Sequence, residues 1–78
     1  MNRSEIEQGL VEVFSTILGH PVLPDLCRQN EPAWDSLKHM QIVFAVEEKF
    51  GGQFTEEEIP QLDSLGRFAE HLAHRYAT

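Results

Sequence analysis

Apolar residues recur every three or four positions along the first stretch of the chain: Ile6, Leu10, Val13, Phe14, Ile17 and Leu18. That spacing predicts an amphipathic helix. Ser4 with Glu7 three residues on predicts its start as a capping box, in which hydroxyl and carboxylate each satisfy a free backbone N–H. Gly19 ends the helix and Pro21 prevents its return. The pattern then breaks. Residues 20–35 read H-P-V-L-P-D-L-C-R-Q-N-E-P-A-W-D, and Pro21, Pro24 and Pro32 exclude regular helix from most of them. Val22, Leu23, Leu26 and Trp34 predict a loop that is packed down. Long loops inside small domains are often functional.

A second helix is expected from about Ser36 to Phe50, stopped by Gly51-Gly52. On a wheel of about 100° per residue, Ile42, Val43, Val46 and Phe50 fall on one side. Leu37, Met40 and Phe44 fall on a neighbouring side. Together they cover well over half the circumference, whereas a surface helix in a bundle needs an apolar stripe a little over ~100° wide. Two readings follow. Either the helix is central and buried on two sides, or Leu37, Met40 and Phe44 are partly exposed as a contact patch. In the second reading Glu47 and Glu48 rim the patch and steer a basic partner. A short helical turn is expected next, with Thr55 as cap, Glu58 completing a capping box and Pro60 limiting its length. The last helix is expected from near Ser64, with Leu65, Phe68, Leu72 and Tyr76 as its buried stripe. No alternating run predicts a strand. The expected fold is all-α: a small four-helix antiparallel bundle, three helices long and one short, with a long loop between the first two. It is read as a single domain over residues 1–78.

Composition narrows the function. At 78 residues the chain is too small to surround a deep cleft with several catalytic side chains. Its net charge of −7, from 13 acidic and 6 basic residues, argues against a nucleic-acid partner and an anionic membrane surface. It suits a soluble monomer that meets basic patches on its partners. The single cysteine, Cys27, forms no intrachain disulfide and fits a reducing compartment. The N-terminal M-N-R-S-E-I-E lacks an apolar leader, and no apolar run approaches the ~20 residues that span a bilayer. The expected location is cytoplasmic.

Candidate chemistry lies in a repeated tripeptide. D-S-L occurs in W-D-S-L-K-H-M-Q (residues 34–41) and again in L-D-S-L-G-R-F-A (residues 62–69). A helix N-terminus presents unpaired N–H groups and partial positive charge, which favour a phosphate on or beside a serine hydroxyl. Asp and Ser are equally the commonest plain caps, and local sequence does not separate the two serines. Asp35, Ser36 and His39 are triad-type residues, yet neighbours on one helix cannot converge as a triad does. No catalytic residue is therefore expected. His71 and His74 share a helix face without a third ligand in register, so solvated histidines are expected and no metal site. His20 reads as a helix-end residue, Cys27 as a small buried side chain, and Glu56-Glu57-Glu58 as the acidic first turn of the short helix.

The stretch W-D-S-L-K-H-M-Q-I-V-F-A-V-E-E-K-F-G resembles the prosthetic-group helix of acyl carrier proteins. The likeness extends along the chain through the first helix, the long loop, F-T-E-E-E-I-P and the closing S-L-G-R-F-A-E-H-L. The resemblance implies that Ser36, between Asp35 and Leu37, carries 4′-phosphopantetheine through a phosphodiester, and that Ser64 is an ordinary cap. It gives Leu37, Met40, Phe44, Glu47 and Glu48 the role of contacting partner enzymes. Lys38 and Gln41 stand where the family often has acidic residues, so this half of the recognition helix is less negative. Trp34 resembles stand-alone carriers of specialised pathways.

The implied activity is that of a shuttle and not of an enzyme. A phosphopantetheinyl transferase installs the arm from coenzyme A, and a ligase loads it with an acyl group as a thioester. Acyl-processing enzymes of a fatty-acid, polyketide or other specialised pathway then receive it. An aminoacyl or peptidyl cargo ranks second, because the paired glycines usual before the serine of peptidyl carriers are missing. An unmodified helical interaction module is the alternative from a different class.

Overall fold

A computed structural model describes residues 2–76, with side chains through Arg75. Among these residues the elements are α1 (Arg3–Leu18), α2 (Ser36–Phe50) and α3 (Leu65–Tyr76), with 3₁₀ turns at Arg28–Asn30 and Ile59–Gln61. The fold is all-helical. The only pairing of extended backbone among the described residues is an isolated bridge between Cys27 and Ser64.

α1 begins earlier than Ser4. Asn2 is its cap: the Asn2 side chain accepts from Glu5 N–H at 2.8 Å, and Glu5 Oε1 accepts from Asn2 N–H at 3.2 Å. Ser4 lies inside the helix, and Glu7 pairs with Arg3 one turn back at 3.1 Å. Starting at Asn2 satisfies two orphan N–H groups, those of Asn2 and Glu5, in the same reciprocal way and adds that ion pair. At the other end Gly19 takes φ 83°, a left-handed conformation that closes the helix with its N–H on the Ser15 carbonyl. Gly51 does the same for α2 at φ 75°.

α1 is the helix against which both others pack. Ile6, Leu10, Phe14 and Leu18 form its buried stripe. They meet Ile42, Val43 and Val46 of α2 and Leu65, Phe68, Ala69 and Leu72 of α3 in one core. Each of these side chains larger than alanine contributes about 1.5–3 kcal/mol through burial. α1 and α2 run antiparallel, since Gly9 lies against Phe50 while Phe14 lies against Trp34. A Cβ on Gly9 would stand 2.8 Å from Phe50 Cζ, so a side chain there would displace the Phe50 ring. Phe50 itself is half-buried. The Tyr76 side chain, expected in the α3 stripe, lies outside the described residues.

The short fourth helix is reduced to a 3₁₀ turn at Ile59–Gln61. Pro60 supplies no N–H, so the segment does not lengthen into an α-helix. Its expected capping box is present: Glu58 N–H donates to Thr55 Oγ1 at 3.1 Å and Thr55 N–H to Glu58 Oε1 at 2.8 Å. Arg75 fastens this segment to α3. It bonds the Gln53 carbonyl, pairs with Glu58 and stacks over the Phe54 ring with its guanidinium carbon 5.1 Å from the centroid.

The long loop is packed down at Val22 and Trp34, and Leu26 is half-buried. Leu23 departs from expectation: it is 71% exposed. Its middle is stitched to the start of α3. Arg28 N–H donates to the Asp63 carbonyl at 2.8 Å, and Leu65 N–H donates to the Leu26 carbonyl at 3.0 Å.

Candidate functional site

The two D-S-L segments meet the same face of the molecule in different ways. Ser64 is half-buried, and its Oγ accepts from Arg67 N–H at 3.0 Å, the bond of a helix cap. In the first segment Asp35 takes the capping role: its Oδ1 accepts from Lys38 N–H at 2.9 Å. Ser36 is thereby left free of that duty. It is exposed on the first turn of α2, where the helix dipole is positive.

Two residues earlier the chain is anchored. Trp34 is 3% exposed and meets Phe14 edge-on at 5.0 Å between centroids. Phe14 in turn meets Phe68 at 5.4 Å. Burying an indole of this size contributes on the order of 4–6 kcal/mol. The indole Nε1–H donates to His39 Nδ1 at 3.0 Å, and His39 Nε2 stands 2.8 Å from the Ile59 carbonyl. With Nδ1 accepting and Nε2–H donating, His39 is the neutral tautomer with both nitrogens satisfied. The buried His39 therefore takes no part in a triad with Ser36: it ties the loop end, α2 and the 3₁₀ turn together. An indole and an imidazole five residues apart were its only sequence signal.

The loop also brings a cation to the serine. Arg28 Nη2 lies 3.5 Å from Ser36 Oγ, and its Nε donates to the Trp34 carbonyl at 3.3 Å. Beside it, Cys27, Asn30, Asp35, Asp63 and Ser64 line an open cleft of about 700 Å³. Cys27 is half-buried at this cleft rather than buried, its Sγ 3.6 Å from the Asp25 carbonyl. Glu31, not singled out by the sequence, is 9% exposed and braces the loop. It accepts from Ala33 N–H at 3.1 Å and pairs with His20 at 2.9 Å. The His20 ring has its other nitrogen on the Pro21 carbonyl at 2.9 Å. That carbonyl first, and Glu31 second, hold the His20 pKa above its ordinary value of 6.5.

Below Ser36 the α2 surface divides as the second of the two readings expects. Ile42, Val43 and Val46 are buried; Leu37 is 68% and Phe44 61% exposed, and Met40 is half-buried. Glu48 is exposed. Glu47 is half-buried and accepts from Phe54 N–H at 2.8 Å, so it also secures the turn after α2. His74 is solvated, whereas His71 is half-buried, 3.3 Å from Glu58 and edge-on to Phe54.

Comparison with known proteins decides the family. The chain is 30% identical over 77 residues to the acyl carrier protein of Acidothermus cellulolyticus, covering 95% of this chain and 92% of that one. The chain belongs to the acyl carrier protein family. No protein-family model matches it. Membership of the acyl carrier proteins accords with the all-helical architecture. Among the described residues no helix is long and apolar enough to cross a membrane.

Proposed function

We propose that the chain carries acyl groups as thioesters on a 4′-phosphopantetheine arm joined to Ser36, and hands them to successive partner enzymes. The observation that carries the reading is the division of labour within D-S-L: Asp35 caps α2 while the Ser36 hydroxyl stays exposed. The site fits a phosphodiester. Its hydroxyl faces solvent, the helix end is positive and Arg28 stands beside it.

The arm supplies a thiol that holds the cargo as a reactive thioester. The chain's own residues supply placement. Trp34 and His39 fix the loop so that Ser36 projects from a rigid base. Leu37, Met40 and Phe44 offer an apolar patch to the transferase, the loading ligase and the acyl-processing enzymes, with Glu48 at its rim to attract basic side chains. Such a patch suits small interfaces that form and release quickly. Tethering then raises the local concentration of cargo at each active site. The protein is a substrate and a shuttle, read as a single cytoplasmic domain.

Mass spectrometry of the protein purified from its own cells tests the reading. One phosphopantetheine on Ser36, in part bearing an acyl group, is expected. A chain found only unmodified would overturn it.

A further inference from the structure

Resting on that reading, we propose that Arg28 is a positioning residue for the arm: its guanidinium grips the phosphodiester on Ser36 and turns the arm's first bonds toward the cleft between the long loop and the two residues just before α3, Asp63 and Ser64. The local geometry is built for this. The bridge between Cys27 and Ser64, through Arg28 N–H on the Asp63 carbonyl at 2.8 Å, fixes the Arg28 backbone. The Trp34 carbonyl, 3.3 Å from Arg28 Nε, fixes the side chain, and Trp34 is itself buried. Beyond that contact, Nη2 stands 3.5 Å from Ser36 Oγ.

Charge makes the same point. Arg3, Arg67 and Arg75 each have a carboxylate partner within 4.0 Å. Among the described residues Arg28 has none, in a chain of net charge −7. Arg28 thus stands against a neutral hydroxyl with no carboxylate in direct contact, while Glu31, Asp35 and Asp63 line the cleft beside it. A phosphodiester on that oxygen places its anionic oxygens two bonds from an atom the guanidinium already reaches. Planar guanidinium matches phosphate oxygens in pairs, and charge-assisted bonds of this kind are the strong ones. The cleft that Arg28 lines also holds Asn30, Ser64 and the carboxylates of Glu31, Asp35 and Asp63, polar partners for the amides and hydroxyls of the arm beyond its phosphate. The grip sets the direction in which the arm leaves the helix, and so which partner geometry it meets first. Lysine at this position would keep the charge and lose the fork.

The test loads the native chain, Arg28→Gln and Arg28→Lys with coenzyme A and a phosphopantetheinyl transferase, confirms loading by intact mass and reads the ³¹P NMR resonance of each product. Circular dichroism establishes that the variants are folded. The expected result is a ³¹P resonance displaced beyond its line width in Arg28→Gln and partly restored in Arg28→Lys. Added salt should move the native signal toward that of the glutamine variant. Identical resonances in all three loaded proteins, insensitive to salt, would overturn the role of Arg28 while leaving the carrier reading intact. Failure of the native chain to gain mass would overturn both. Should Arg28→Gln not fold, the Arg28 side-chain NεH signal of the native protein, compared before and after loading, decides the same question: a shift supports the grip and an unmoved signal refutes it.

Discussion

Trp34 Nε1 donates to His39 Nδ1 across 3.0 Å, and the serine that lies between them in sequence projects to solvent. The buried pair and the exposed hydroxyl are two sides of one local structure. A loop end held only by its backbone would fray, and the first turn of α2 with it. Here the indole is buried against Phe14, and His39 passes the restraint on to the Ile59 carbonyl.

Removing the indole N–H should therefore be felt in stability. Trp34→Phe keeps a ring in the core but leaves His39 Nδ1 buried without its donor, a loss of about 1–3 kcal/mol. Urea unfolding should show a lower midpoint at unchanged slope, the shift multiplied by that slope giving this loss. Trp34→Phe combined with His39→Leu should be less destabilising than the sum of the single changes, because the two side chains share one hydrogen bond.

The two faces of α2 should separate stability from recognition. Phe44→Ala on the exposed patch should change unfolding free energy by no more than about 0.5 kcal/mol. It should lower the transferase's kcat/KM for the chain by about 5- to 30-fold, the loss of an interface anchor worth about 1–2 kcal/mol. Phe14→Ala in the core should cost about 3–5 kcal/mol. Comparing denaturation curves with loading rates for both variants checks the division.

Glu58 gives an acid-sensitive restraint. Its pKa lies below the ordinary 4.5, chiefly because Thr55 N–H donates to the carboxylate, with Arg75, the Thr55 hydroxyl and His71 adding to the effect against the opposing pull of burial. A lowered folded-state pKa contributes stability that is present above about 4.5 and lost as pH falls through the folded value. The stability advantage of the native chain over Glu58→Gln should be constant near neutrality and shrink progressively below pH 4.5. Thermal melts across that range report it.

His20 has the opposite sign. Its folded-state pKa is raised by the Pro21 carbonyl and by Glu31, so its contribution is fully present below 6.5 and is lost as pH rises through the folded value. The difference between native chain and His20→Gln should fade above pH 6.5. Because Glu31 also braces the loop before Ser36, the amide signals of Glu31, Ala33 and Trp34 should follow the same titration.

Much of this fold was legible in the sequence because helical periodicity and glycine stops are local. The α2 surplus of apolar surface was legible too, and its excess is the patch of Leu37, Met40 and Phe44. What was not legible depends on choices between equal local signals or on distant contacts. Asn2 and Ser4 both head a box ending in glutamate, and the Arg3–Glu7 pair forms only with the earlier start. The sequence excludes His39 from a triad with Ser36 but does not show its structural role, because Trp34 and Ile59 reach its nitrogens only through the loop and the 3₁₀ turn. Arg28 carried no local signal. Its place beside Ser36 depends on the bridge from the loop to α3, which joins residues far apart in sequence.

The central claim is that Ser36, and not its twin in the second D-S-L, bears the arm. Incubation of the native chain, Ser36→Asp and Ser64→Ala with coenzyme A, Mg²⁺ and a phosphopantetheinyl transferase, followed by intact mass, tests it most directly. Aspartate at position 36 preserves helix-compatible polarity at an exposed site, so all three should be folded by circular dichroism. The native chain and Ser64→Ala should each gain one phosphopantetheine, and Ser36→Asp none. A gain that survives in Ser36→Asp, or no gain in the native chain, would contradict the account.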